Sequence, residues 1–560
     1  MLTRRDFLQV AAATAGMGLL KGAWASTSNR LRFEDLTAFE PVGQVTLLNF
    51  TDIHAQLMPL YYREPSSNLG VGHLHGLPPH ITGKELLRYF GLKSGTAEAY
   101  AFTHDDFERL ARAYGRVGGV AHLATLIKAI RAERTGRTLL VDCGDTWQGS
   151  YTALKTSGMD MVEVMNAMGV ELMTAHWEFT YGEARVKELI AALKFPFLAG
   201  NVVDVDWEED VFAHTAFFER GGVKIAVIGQ AFPYTPVANP RYMMPKWSFG
   251  IREEKVQQRV DQAREAGAEL VVLASHNGFE VDRKLAARVN GIDVILTGHT
   301  HDAIPALIPV GDTLLVAAGS HGKFLARLDL EVKHKRIVRY GFRLIPVFSD
   351  AIPADQEIAA LVNKIREPYA KALNEELATT DSLLYRRGHF NGTFDDLICN
   401  AILQERDCEI ALSPGFRWGS ALLSGDSVRL EDVYSHTAIT YPNCYRQAMS
   451  GGRIKEILED VADNLFNPDP YYQQGGDMVR VGGLGYTIDI RKPMGDRISN
   501  MIHLTSGTAI DPQRDYMVGG WASVNPDTAG PPIYDLVADY LRREKRVNLQ
   551  GYEHVKVLGA

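Results

Sequence analysis

The chain has 560 residues, too many for one ordinary core, which predicts two domains. A hydrophobic content of 46% and a charged content of 23% are those of a soluble globular protein. The formal net charge of −9, with no basic stripe to offset it, excludes a nucleic-acid binder.

At the N-terminus, Arg4-Arg5 precede Asp6-Phe7-Leu8, a mildly apolar run from Leu8 to Leu20, and then Ala23-Trp24-Ala25. A charged start, a short apolar stretch and an A-x-A site read as a twin-arginine (Tat) export leader over 1–25, so the expected location is the periplasm. The apolar run is too short to span a bilayer stably, and no stable membrane insertion is expected. Four scattered cysteines (Cys143, Cys399, Cys408, Cys444) lack a CxxC pair and predict free, mostly buried thiols.

From about 42 to 350, strand-like runs alternate with amphipathic helices, which predicts an α/β layered domain. The first run, TLLNFTDIH, ends in Asp52 and His54. Between Pro59 and Tyr114 lies an insertion with His73, His75, Pro78, Pro79 and His80, expected to be a solvated loop beside the site entrance. A helix is predicted over Val117 to Arg134. TLLVDCGDTWQG then presents Asp145, ELMTAHWEF presents His176, and KIAVIGQAF adds a strand. A helix over Ile251 to Ala266 leads into the strand Glu269 to Ala274, after which ELVVLASHNG presents His276 and DVILTGHTH presents His299 and His301. Thr313 to Val332 adds further strands. A bridging helical segment is expected over 353–383 and a second domain over 384–560, with Gly-rich turns at Gly475-Gly476, Gly482-Gly483 and Gly519-Gly520.

Five apolar runs that each stop at Asp or His place metal-binding groups at the rim of a sheet. Asp52 and His54, two residues apart at a strand end, can reach one ion from the same face, and His299 and His301 repeat that spacing. Asp145 is suited to bridge, because a carboxylate can hand one oxygen to each of two ions roughly 3.5–4 Å apart. Mixed Asp and His ligands suit Mn, Fe or Zn better than Ca or Mg.

DIH, GDTWQG, LASHNG and GHTH resemble the motifs of the calcineurin-like metallophosphoesterases, and the two-domain plan resembles the 5′-nucleotidase family. FDDLICNAIL, DCEIALSPGFRWG, YPNCYRQAMSGGRIKEIL and GGDMVRVGGLGYTID are similar to that family's C-terminal substrate domain. The resemblance implies a layered β-sandwich flanked by helices and an α+β C-terminal domain. It assigns one ion to Asp52, His54, Asp145 and His301, and the other to Asp145, His176, His276 and His299.

The chain departs from the family where the family has Gly-Asn-His-Glu. Here Ala175-His176-Trp177-Glu178 stands, with Thr180 in place of an Asp. His176 replaces one ligand by another, whereas the proton-donating His and its Asp partner become Trp177 and Thr180. A positioned acid is worth about 10²–10⁴-fold for a poor leaving group. Its absence implies a group that departs readily as an anion, such as a thiolate or persulfide. Met478 and Trp521 also stand where nucleotide-stacking segments are expected, so an adenine clamp is not evident.

With SPGFRWG and the His/Pro insertion, these departures resemble the SoxB subfamily of thiosulfohydrolases. That resemblance implies two Mn²⁺, a sulfonated sulfur adduct on a carrier-protein cysteine of the SoxYZ type, and sulfate as product. Arg417 is expected to bind the sulfone oxygens, since a guanidinium fork suits tetrahedral oxyanions. Trp177 is expected to wall the pocket, while packing roles are favoured for Trp418 and Trp521. The alternatives are a 5′-nucleotidase or nucleotide-sugar hydrolase, and a non-enzymatic docking subunit.

Overall fold

The computed structural model describes residues 31–551 and 553–559. The leader reading over 1–25 lies outside the described residues. No described helix is long and apolar enough to cross a membrane.

Two sheets form the N-terminal half. The first is ordered Arg336–Pro346, Phe324–Lys333, Val45–Phe50, Thr138–Asp142, Leu172–Met173, and its last three strands run parallel. The second is ordered Ile308–Val310, Thr313–Ala317, Val294–Thr297, Leu270–Ser275, Val223–Gln230, Thr215–Arg220, with four parallel strands at its centre. Strand residues alternate between two faces, and the second sheet splits its buried residues accordingly. Val227, Val272, Leu296 and Val316 join the core shared with the first sheet. Ile228, Val271, Leu273, Ile295 and Leu315 pack instead with Val256 and Val260 of the helix Glu253–Glu265 and with Phe279 and Leu285 of the helix Phe279–Ala286. Burial on both faces explains why these strands read as continuous apolar runs rather than as an alternation.

The registers align the strand ends. Phe50 pairs with Asp142, and Asp142 with Met173, so the segments that follow all emerge at the carboxyl edge of one sheet. Ser275 pairs with Thr297, which brings His276 and the Gly298–His301 segment out together at the same edge of the other. The carboxyl edge of parallel strands is where open α/β sheets assemble their sites.

The Pro59–Tyr114 insertion differs from the expected solvated loop. It contains the helices Gly83–Phe90, Ala97–Phe102 and Phe107–Tyr114, and buries Tyr100, Phe102, Phe107 and Leu110 in the main core. The His and Pro residues cluster at 73–80, whereas the apolar residues that bury the segment follow them. His73 and His75 are exposed, and His80 bridges Asn68 (3.0 Å) and Glu280 (3.2 Å), so none of the three enters a metal cluster.

The helix Gln356–Arg366, capped by Asp355, packs on the helix Val120–Glu133, and Glu376–Thr380 then pairs with Ser427–Arg429 and Arg546–Val547. Two four-stranded sheets complete the C-terminal half. The four cysteines are free, and three of them are buried. A buried charge network ties this half together. The Asp395 carboxylate accepts from Arg386 Nε (2.8 Å) and Gly392 N (2.9 Å) and faces Arg480 Nε at 3.4 Å, while Arg480 Nη2 donates to Asp477 (2.6 Å). Deleting one member of a buried ion network leaves uncompensated charge, so Asp395→Ala should lower unfolding free energy by about 3–5 kcal/mol in a denaturant titration.

Candidate metal centre

Five of the seven expected ligands adopt left-handed backbone, with φ of 53° at Asp52, 50° at His54, 57° at Asp145, 76° at His299 and 58° at His301. For a residue with a Cβ this conformation costs about 1–2 kcal/mol, and such outliers concentrate at functional sites. Each chain reverses just past its strand and turns its side chain back over the sheet edge.

Two buried clusters result, Asp52, His54, Asp145, His301 and Asp145, His176, His276, His299, each with ligand atoms within 4.8 Å of one another. One ion with ordinary ligand distances of about 2.0–2.3 Å can bridge such a span. Asp145 belongs to both clusters, as a bridging carboxylate must. The i, i+2 reading holds for Asp52 and His54, which share a cluster. It does not hold for His299 and His301, which fall in different clusters, in the partition the family resemblance assigned them.

The contacts within the clusters fit cation binding. His276 Nε2 lies 3.1 Å from Asp145 Oδ2 and 3.7 Å from Asp52 Oδ1, and its Nδ1 donates to the Cys143 carbonyl at 2.6 Å. That second bond fixes the tautomer and aims Nε2 at the carboxylates. Burial alone would lower the His276 pKa, but Asp145 and Asp52 together push it up to about 10. The same two carboxylates that favour a positive charge on this ring favour a divalent cation beside it, so protonation and metal binding at Nε2 compete. His54 and His301 face each other Nε2 to Nε2 at 3.0 Å; burial lowers the first to about 4 and the second well below its ordinary value. Neutral rings with converging lone pairs are ligands in waiting. Burial raises Asp52 to about 7, whereas His176 and His276 hold Asp145 well below the usual carboxylate range against its burial.

The loops are held by groups the sequence reading did not assign. Glu178 accepts the backbone N–H of His176 (2.8 Å) and of Thr146 (2.6 Å), stapling the His176 loop to the Asp145 loop. Asp282 accepts from Ser275 (2.8 Å) and Asn277 (2.9 Å) on either side of His276. Gly298 permits the closest approach. A Cβ there would lie 2.5 Å from Thr51 Oγ1 and 2.9 Å from His276 Nδ1.

The C-terminal half covers the clusters with a cavity of about 160 Å³ between the two halves. Arg417 reaches it with Nη2 3.3 Å from His299 Nε2, and a Cβ on Gly475 would strike that same ring atom at 2.2 Å. His299 Nε2 also contacts the Gln474 carbonyl at 3.2 Å, which leaves Nδ1 as the ligand atom. Trp177 lines the cavity and also joins the core of the C-terminal half, edge-on to Phe416 (5.3 Å) and Trp418 (5.0 Å). Its backbone N–H donates to Asp145 at 2.8 Å. Trp418 lines the cavity, whereas Trp521 is buried and donates to Ser413 Oγ. Phe232, stacked on His299 at 4.1 Å, is a further wall that its strand-like context did not signal.

Replacing Asp145 by Asn should remove the charge shared by both clusters, so that metal analysis after reconstitution finds less than one ion per chain instead of two. Gly298→Ala should lower occupancy too, by displacing His276 and Thr51.

Similarity to known proteins agrees with this geometry. Residues 376–523 match the family model of the 5′-nucleotidase C-terminal domain. The chain is 25% identical to the bovine 5′-nucleotidase over 436 residues, covering 71% of this chain and 74% of that protein. Among solved structures it superposes on a 5′-nucleotidase precursor from Thermus thermophilus with a TM-score of 0.73 and 21% identity, covering 92% of this chain and all of that one. It superposes on the Thermus thermophilus sulfate thiohydrolase SoxB with a TM-score of 0.90 and 37% identity, covering 93% of this chain and 98% of that one. With the paired Asp and His clusters at the sheet edge and a matching architecture over nearly the whole described length, the chain belongs to the SoxB family of hydrolases within the 5′-nucleotidase and metallophosphoesterase superfamily.

Proposed function

We propose that the chain hydrolyses the terminal sulfone from a cysteine-bound S-thiosulfonate or S-sulfonate on a SoxYZ-type carrier, releasing sulfate in the periplasm after Tat export. The observation that carries this reading is the Trp177 side chain. It occupies the position of the family's proton donor, offers no acid, and packs edge-on against the stacked pair of Phe416 and Trp418. Thr180, in place of the acid's partner, is engaged with Thr440 Oγ1 at 2.6 Å. A site without a general acid favours a leaving group that departs as a stable anion.

For a thiosulfonate adduct the balance is simple. Water oxygen bonds to the terminal sulfur and ends in sulfate, the S–S bond breaks with its electron pair on the carrier sulfur, and two protons pass to solvent. Asp52, Asp145 and the five histidines would hold two divalent ions, Mn²⁺ in this reading, which when bound would supply Lewis-acid polarisation of the sulfone oxygens and an activated water. Arg417 faces the same cavity and anchors sulfone oxygens through its guanidinium fork.

The cavity supports a slender substrate. At about 160 Å³ it falls below the roughly 300–1,000 Å³ typical of sites for drug-sized ligands. Phe416 and Trp418 stack on each other at 4.2 Å with 19° between their planes, which leaves no open slot between them for a purine. The 5′-nucleotidase reading is disfavoured on both counts.

Metal-loaded chain given thiosulfonate-loaded carrier should release sulfate, and AMP should yield little phosphate; phosphate without sulfate refutes the proposal. Arg417→Ala should keep both metals yet lose about 10²–10³-fold in turnover, the range for removing a preorganised donor from developing negative charge.

A further inference from the structure

We infer that His321 is a positioning residue that clamps the Arg417 loop of the C-terminal half onto the metal-bearing Asp52–His54 segment. The inference rests in part on the role given above to Arg417, but its geometry stands by itself. His321 lies in the turn between the strands Thr313–Ala317 and Phe324–Lys333 and is fully buried, with φ of 58°. Its backbone N–H donates to the Asp52 carbonyl at 2.8 Å, so the turn is fastened to the first ligand. Its ring stacks on Tyr62 at 4.3 Å and lies 5.6 Å from the His54 ring and 5.7 Å from the His301 ring.

Both ring nitrogens are committed. Nε2 accepts the backbone N–H of Gly419 at 3.1 Å, which requires that nitrogen to be unprotonated. Nδ1–H therefore donates to Ser320 Oγ at 2.8 Å, and Ser320 Oγ donates to the Tyr62 hydroxyl at 3.1 Å. Gly419 follows Arg417 by two residues, and Trp418 between them lies 5.3 Å from the His54 ring. One residue thus connects the two: its backbone N–H holds the carbonyl of a ligand segment and its imidazole holds the backbone of the loop that carries Arg417. A buried backbone donor deprived of its acceptor is driven to seek another partner, and a shift of about 1 Å in a substrate-positioning group can cost about 10²-fold in rate.

Two substitutions divide the side chain's contacts. His321→Asn places its amide near the Nδ1 position, keeping Ser320 within reach but not Gly419. His321→Gln extends an acceptor to Gly419. In metal-loaded full-length chain, His321→Asn should retain both metals, exchange the amides of residues 415–419 about fivefold faster, and release sulfate from thiosulfonate-loaded carrier about 10²-fold more slowly. His321→Gln should restore most of both. Combining His321→Asn with Arg417→Ala should be no slower than Arg417→Ala alone, because the two act through one group. Equal behaviour of Asn and Gln, loss of metal from the Asn variant, multiplying effects in the double variant, or failure of both variants to fold each overturns the inference. Absence of sulfate release by the parent chain overturns the proposed function instead, and hydrogen exchange then still decides the role of His321.

Discussion

Everything about this site follows from stripping water from two carboxylates and five imidazoles at the carboxyl ends of the parallel strands of two mixed sheets. Isolated burial of such groups is strongly unfavourable, and the chain adds the backbone cost of left-handed conformation at five of the seven positions. Within the protein, partial compensation comes from the contacts of His276 with Asp145 and Asp52, from backbone N–H donors to Glu178, and from the side chains of Ser275 and Asn277 that donate to Asp282. Full compensation needs cations, and the two overlapping clusters are arranged to receive them. The strand registers, the glycine at 298 and the staples around each loop all serve that one requirement.

The C-terminal half completes the chemistry rather than the metal sites. It contributes no group to either cluster, yet it brings Arg417, Gly475 and Trp418 over them. Trp177 runs the other way, from the N-terminal half into the neighbouring core. The cavity is therefore bounded by residues whose positions depend on how the two halves pack, and the residues proposed to set selectivity are separate from those that form the two clusters.

Legibility in the sequence divided along the same line. Asp52, His54, Asp145, His176 and His276 were visible because each follows directly on an apolar strand, a purely local signal. The partition of His299 and His301 between clusters came from the family resemblance and not from their spacing, because it depends on backbone conformation that a two-residue interval does not encode. Arg417 was recognisable from its Gly-Phe-Arg-Trp-Gly setting. His321 was not, since it sits inside what reads as one strand run and its partner Gly419 is 98 residues away. The insertion misled for another reason: its His and Pro residues cluster at 73–80, whereas the apolar run Ala97–Phe102 and Phe107 further along carry the packing.

The dual attachment of Trp177 bears on how such an enzyme can change over evolutionary time. Its indole fills space in the C-terminal core, packs edge-on to two aromatic rings, and its backbone orders the bridging carboxylate. Exchanging a buried indole for a much smaller side chain typically costs about 3–5 kcal/mol, a large part of a domain's margin. A lineage that drifted toward phosphate esters would meet that loss before any gain from a new acid, which is useful only with a partner at Thr180 as well. The leaving-group preference proposed for this site would thus be protected by packing: reversal would require a coordinated set of changes across two halves of the molecule.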